Sequence, residues 1–476
     1  MKSTSTQKRT AVKAPVVSGK QRNYNEVVDY LNAHWETNQN DLSLSTIKQL
    51  DKAFGDLSQN IDAIMVTGTN GKSLTAHFAS KLLREEGLSV GALYAPHILT
   101  YNERFSLNNE IISNKLFTDI ANEVITAVET ADLKANTLDI LTMMALIHFS
   151  NNNIDVALFE FDTYAHAHPV HIFKPKILAI TRVSDPELLN QDAQETQKII
   201  DDVLSFVKQD VVVVSADQSK INLQTMQNKV EEKGGSWLMP IRKLAPLAYP
   251  FEQLHGRCAA LAERIAHSYV NLFSNKHAVT INKSLLSKQK GQRGRPTLEA
   301  KRQSELHPKK TIDQFWKEIQ NTLPGRFQLL DKEKPTILLD NASNLDALKN
   351  VLLGARLLHY QRPLKGLTII LGIHDQEINQ TELLKTLRYF FKKTSGQIIV
   401  CPVVPLPGDK TQNLINVEQL TNDIKGMKIK ARSAKNLKTA LEAAKDTVDE
   451  RNGLVIITGS TAIVSQYWEE KGIKKL

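Results

Sequence analysis

Lys72 and Ser73 close the run Ile64-Met-Val-Thr-Gly-Thr-Asn-Gly-Lys-Ser73, and residue types at this spacing make a phosphate-binding loop. Small residues at Gly68 and Gly71, with Thr69 and Asn70 between them, let backbone N–H groups close around phosphate oxygens. Lys72 adds a mobile positive charge, and the Ser73 hydroxyl is suited to holding Mg²⁺. Glycine also serves plain tight connections, but the Gly-Lys-Ser ending adds chemistry that a connection does not need. The expected ligand is a nucleoside triphosphate. Val66 stands where the usual form of the loop begins with glycine.

The elements that must position this loop follow from patterning. Short apolar runs alternate with amphipathic ones, as in α/β proteins. Strands are predicted at 63–67, 89–94, 156–161, 177–181 and 211–215, with helices at 75–86, 114–130, 139–150 and 192–208 between them. Further on, strands are predicted at 336–340, 366–371, 396–400 and 454–458, with helices starting near Leu345, Glu382, Val417 and Leu437. The fold class is α/β, with a mostly parallel sheet in each of two domains. Ligands of such sheets gather beyond the carboxyl ends of the strands, where both the phosphate loop and Glu160 fall.

The 476 residues are 41% hydrophobic, enough for two substantial cores. No uninterrupted apolar run of about 18 residues appears, so no spanning helix is expected, and the amino terminus has no apolar signal core. Cys258 and Cys401 lie far apart without metal-ligand spacing, which fits a reducing, cytoplasmic compartment. The net charge of +9 is uneven, because residues 1–22 hold Lys2, Lys8, Arg9, Lys13, Lys20 and Arg22 without an acid. A disordered solvated tail is expected there. A second basic stretch, from Lys288 to Lys310, contains Arg-Gly-Arg-Pro and reads as a charged linker rather than a nucleic-acid contact. The organisation expected is a tail over 1–22, an ATP-binding domain over 23–275, a basic linker over 276–321 and a smaller Rossmann-like domain over 322–476.

The Thr-Gly-Thr-Asn-Gly-Lys loop resembles that of the Mur ligase superfamily, and its neighbours narrow the likeness. Tyr94-Ala-Pro-His-Ile-Leu-Thr-Tyr-Asn-Glu-Arg-Phe105 is similar to the Ser-Pro-His-Leu and Phe-Asn-Glu-Arg-Ile segment of folylpolyglutamate and dihydrofolate synthases, with Ala95 replacing the serine. Leu323-Pro-Gly-Arg-Phe327, Asp340-Asn-Ala-Ser-Asn-Leu-Asp-Ala347 and Val455-Ile-Ile-Thr-Gly-Ser460 resemble that family's carboxyl-terminal motifs, so the likeness runs from about Tyr24 to Trp468. It implies a Mur-ligase-like fold and an ATP- and Mg²⁺-dependent ligase that joins glutamate to a folate through an acyl phosphate, acting as a monomer. It implies β- and γ-phosphate contact for Lys72 and Mg²⁺ roles for Ser73 and Glu160. Nucleotide contacts are implied for Arg326 and Asp340, and substrate contacts for Pro96, His97 and the segment Thr137, Leu138, Asp139 and Ile140.

The departures from that pattern are as informative. After Glu160 the family runs on through glycines, whereas this chain reads Phe161-Asp-Thr-Tyr-Ala-His-Ala-His-Pro-Val-His171. Without glycine the loop must take another path. His166, His168 and His171 raise a metal reading, but their spacing fits no standard zinc pattern, and a reshaped loop is the plainer account. Glu187 stands at the family's second-metal histidine and is taken as a Mg²⁺ ligand, with Asp185 as a substitute. Val203 falls where the family has its carbamate lysine, while Lys208 matches a later one. Cys258 follows Gly256-Arg where the family has histidine, and Ser343 replaces another histidine. Two alternatives therefore stand beside the folate reading: a Mur-type ligase for another acid, and a nucleotide-binding relative that has lost ligation.

Overall fold

The computed structural model describes residues 19–35, 44–162, 168–183, 193–241, 243–245, 247, 251–274, 323–373, 379–407 and 415–474. Two sheets organise them. The first uses β1 (Ala63–Thr67), β2 (Val90–Leu93), β3 (Phe105–Leu107), β4 (Glu110–Ile111), β5 (Val156–Glu160), β6 (Pro175–Ile180), β7 (Val212–Ser215) and β8 (Ser236–Trp237), in the order β4-β3-β2-β5-β1-β6-β7-β8. Only β3 and β4 run antiparallel to their neighbours, and they form one edge. Helices α1 (Tyr24–Ala33), α2 (Leu44–Ala53), α3 (Lys72–Glu85), α4 (Asn114–Thr130), α5 (Thr137–Asn151), α6 (Ala193–Val203), α7 (Lys220–Glu232) and α8 (Phe251–Leu272) accompany it.

β1 lies between β5 and β6, and all five of its residues are buried. A parallel strand covered on both faces must be apolar throughout, as Ala-Ile-Met-Val-Thr nearly is. Its side chains alternate between two cores. Ile64 and Val66 pack with α3 and α8, while Ala63 and Met65 pack with α4 and α5. Most of α5 is buried around its whole circumference, so it is a core helix with no wet face.

The second sheet runs β13-β12-β11-β14-β10-β9, from β9 (Gln328–Leu330), β10 (Thr336–Leu339), β11 (Leu367–Leu371), β12 (Gln397–Val400), β13 (Lys430–Ser433) and β14 (Leu454–Thr458). β9 alone is antiparallel. Its helices are α9 (Leu345–Gln361), α10 (Gln380–Phe391), α11 (Val417–Gly426), α12 (Leu437–Lys445) and α13 (Thr461–Glu470).

The predicted strands and helices all have counterparts, with shifts at the ends that have local causes. The helix expected from Thr75 starts at Lys72, because Gly71 turns the chain at φ 85° and the loop's Lys-Ser pair forms the first helical turn. The helix expected from Asp139 starts at Thr137, capped by Asn136. α6 ends at Val203 and tightens into a 3₁₀ turn over Leu204–Phe206, short of the expected Lys208. β13, reading Lys-Ala-Arg-Ser, went unforeseen because a polar edge strand carries no apolar run.

Arg22, expected in the tail, donates its main-chain N–H to Asn122 Oδ1 at 2.8 Å and pairs with Glu129 on α4. Residues 1–18, the linker over 276–321, His166, Asp185 and Glu187 lie outside the described residues. No helix among the described residues is long and apolar enough to cross a membrane.

Candidate functional site at the phosphate loop

The loop after β1 depends on glycine for geometric reasons. Gly68 has φ 131°, and a Cβ there would stand 2.0 Å from Thr181 Oγ1 and 2.9 Å from the Arg182 main chain. Thr69 N–H donates to the Arg182 carbonyl at 3.0 Å, which ties the loop to the end of β6. At Gly71, φ is 85° and a Cβ would meet Cys258 Sγ of α8 at 2.6 Å. The loop is thus held against β6 and α8, with the amino end of α3 and its partial positive charge behind it.

Lys72, Ser73 and Glu160 come together where β1 and β5 end. Ser73 Oγ donates to Glu160 Oε1 at 2.7 Å, and the Ala95 main-chain N–H donates to Glu160 Oε2 at 3.3 Å. Burial pushes the Glu160 carboxyl above its ordinary value, against the opposing pull of Arg326 and Lys72. Lys72 Nζ donates to the Gly68 carbonyl at 2.9 Å and pairs with Asp162 Oδ1 at 2.8 Å. Burial pulls the Lys72 ammonium down, but Asp162 and Glu160 outweigh it, so its net shift is upward and the side chain stays charged. Lys72 in turn holds Asp162 below the usual carboxylate range.

The second domain reaches into this cluster. Arg326 Nη2 donates to Ser73 Oγ at 2.9 Å. Asp340 shapes the turn that carries Arg326, because its Oδ2 accepts from Phe327 N–H at 2.7 Å and its Oδ1 from Ala342 N–H at 2.9 Å. Burial raises the Asp340 carboxyl to about 7, although both hydrogen bonds and Arg326 oppose the rise. Asn70 Nδ2 donates to Asp346 Oδ2 at 3.0 Å and to Asn344 Oδ1 at 3.2 Å, while Arg182 Nη1 donates to Asp346 Oδ1 at 2.6 Å. These side chains join the phosphate loop and β6 to the start of α9.

The residues expected at the substrate are disposed unevenly. Pro96 is exposed beside the cluster. His97 Nδ1 accepts from Arg104 Nε at 2.9 Å, and its ring lies 4.4 Å from that of Tyr101. Burial, then Arg104, drives the His97 pKa well below its ordinary value, so the ring is a neutral acceptor. Glu103 gathers the N–H groups of Ile98, Leu99 and Thr100 on its carboxylate, which sets this loop's path. Thr137, Asp139 and Ile140 are buried, and Leu138 alone of that segment is not. Thr137 Oγ1 donates to the Leu31 carbonyl at 2.6 Å, and Asp139 forms a capping box with Asn136.

His168 caps a 3₁₀ turn by accepting from Val170 N–H at 3.2 Å, and His171 stacks on Phe206 with centroids 3.7 Å apart. Among the described residues no group of three or more His, Cys, Asp or Glu side chains is arranged for a metal. Cys258 and Cys401 are both free. Val203 is 1% exposed in the apolar core, so its position offers no ligand atom.

Sequence reasoning missed Asp162, Arg182, Asn344 and Asp346. Asp162 was within reach of it, since it stands two residues after Glu160, just past the end of β5. Arg182 and Asp346 meet across 164 residues of chain, and no local signal announces such a pair.

The donor set suits a magnesium–nucleotide complex: oxygens at Ser73 and Glu160, cations at Lys72 and Arg326, and a glycine turn with no room for a side chain. Two α/β domains facing each other across a glycine loop make up a Mur-ligase-like fold. No family model matches the chain. The dihydrofolate synthase/folylpolyglutamate synthase of Bacillus subtilis is 25% identical over 322 residues, covering 65% of this chain and 70% of that protein. A Mycobacterium tuberculosis folylpolyglutamate synthase complexed with ADP superposes with a TM-score of 0.71 at 17% identity, covering 94% of this chain and 98% of that one. A bifunctional folylpolyglutamate/dihydrofolate synthase with Mn, AMPPNP and L-glutamate bound gives 0.67 at 18%, covering 97% and 100%. In sequence the chain is distantly similar to dihydrofolate and folylpolyglutamate synthases, and it shares their fold over nearly its full length.

Proposed function

We propose that the chain is an ATP-dependent acid–amine ligase that adds L-glutamate to tetrahydrofolate or a related folate in the cytoplasm. The observation that carries this reading is the Arg326 to Ser73 contact of 2.9 Å, which brings a cation of one domain onto the phosphate loop of the other. A carboxylate oxygen of the folate attacks the terminal phosphorus of ATP, and ADP leaves. The glutamate nitrogen then attacks the acyl carbon, loses a proton, and inorganic phosphate departs with formation of the amide. Mg²⁺ held by Ser73 and Glu160 would supply charge neutralisation at the phosphates.

The chain's own residues supply position and charge. Gly68, Thr69, Asn70 and Gly71 form the loop around the phosphates, and Lys72 leaves Asp162 for the β- and γ-phosphates. Arg326 comes from the other side, on the turn that Asp340 holds. Pro96 and His97 border the acid to be activated. Phosphoryl transfer demands little more than this alignment and electrostatic stabilisation.

Lys72→Ala is expected to abolish ADP formation from ATP, Mg²⁺, L-glutamate and tetrahydrofolate while leaving the fold intact, since it removes charge rather than packing. Wild-type protein that binds nucleotide yet releases no ADP in this mixture would overturn the ligase reading. That outcome would favour a relative that has lost ligation, a reading supported by the apolar burial of Val203 at the carbamate position.

A further inference from the structure

Tyr94 directly follows β2, whose Leu93 pairs with Phe159, so it sits beside Glu160 at the carboxyl end of the sheet. The next residue, Ala95, donates its main-chain N–H to Glu160. The Tyr94 side chain turns to the face that carries α3. It belongs to the same apolar cluster as Ala92 and Leu74, and its ring centroid lies 6.3 Å from that of His77.

Tyr94 is only 8% exposed, and its buried hydroxyl has no hydrogen-bond partner among the described residues. A buried unpaired hydroxyl is costly, so a phenol in this position calls for an explanation. Phenylalanine would fill the space without that cost. Glu160 and Arg326 both act on the phenol electrostatically. Burial, then the Glu160 charge, raises its pKa, so it remains a neutral hydrogen-bond donor at physiological pH. It is also the only side-chain hydroxyl in the turn 94–97, where Ala95 stands in the place of the serine of the resembled sequences.

We propose that Tyr94 is a further ligand-contacting residue of this site, with its Oη donating a hydrogen bond to a non-bridging oxygen of the phosphoryl group being transferred. The assignment rests on the nucleotide-site reading above and extends it to a residue that the motifs do not name. A neutral donor adds no charge to a site that already holds Lys72 and Arg326. It distinguishes a ligand with a third phosphoryl group from one without.

The test compares wild type with Tyr94→Phe, using Mg-ADP alone and Mg-ADP with beryllium fluoride as a mimic of the terminal phosphoryl group. Hydrogen bonds to charged groups of this kind correspond to about ten- to hundredfold in affinity. Tyr94→Phe is therefore expected to bind Mg-ADP as wild type does but to lose about ten- to hundredfold in affinity for the beryllium fluoride complex. Its melting temperature is expected to be equal or higher, because no structural hydrogen bond is removed. Equal affinity of both proteins for the beryllium fluoride complex, or a lower melting temperature for Tyr94→Phe, overturns the proposal. Wild-type protein that binds neither nucleotide state overturns the site reading as well, so the two failures are distinguishable.

Discussion

Asp340 accepts two main-chain N–H bonds from the turn that presents Arg326, and burial raises its carboxyl to about 7. An unfolded aspartate titrates near pH 3.9. Between about pH 4 and 7 the folded protein therefore holds a proton that the unfolded chain has released, and stability falls as pH rises through that window. The urea midpoint of wild type is expected to drop from pH 5 to pH 8 by more than that of Asp340→Asn, which cannot lose this proton. An equal drop in both proteins would refute the assignment. The residue types at this site were readable because Gly, Lys, Ser, Arg and Asp sit at motif spacing. Their charge states were not, since they depend on burial and on neighbours brought from elsewhere in the chain. Lys72 shows this most directly: its type announces phosphate binding, but its pairing with Asp162 is a product of folding.

Between β1 and α3 the loop is a strained element with little freedom to vary. Gly68→Ala would place a Cβ 2.0 Å from Thr181 Oγ1 at a φ of 131°, which is unfavourable for any L side chain. A loss of more than about 1 kcal/mol in stability is expected, together with weaker MgATP binding, because β6 would have to withdraw from the loop. Thermal unfolding and nucleotide titration check both parts, and an unperturbed melting temperature would count against the tight fit. The bounds of β1, α4 and β14 agree with those predicted, since each is a clear apolar or amphipathic run. Elements such as β9 and β13 were not legible, because their pairing comes from neighbouring strands rather than from their own composition.

Across the whole molecule, Asn70, Arg182, Asn344 and Asp346 link the phosphate loop directly to the second domain. A single exposed ion pair contributes little, but Asp346 also receives Asn70 from the loop itself. Asp346→Ala is expected to raise KM for ATP severalfold and to increase the radius of gyration measured by X-ray scattering, as the domains open more readily. Unchanged scattering and KM would show that the linkage does not govern closure. Order along the chain was sufficient to specify two α/β cores and a glycine loop beside a strand-end carboxylate, because periodicity and local motifs act over a few neighbouring residues. It could not specify that Arg326 would rest on Ser73, that Asp346 would meet Asn70, or that the Tyr94 hydroxyl would be buried without a partner among the described residues. Those facts arise from contacts between residues far apart in sequence, which exist only after the two sheets have packed and faced each other.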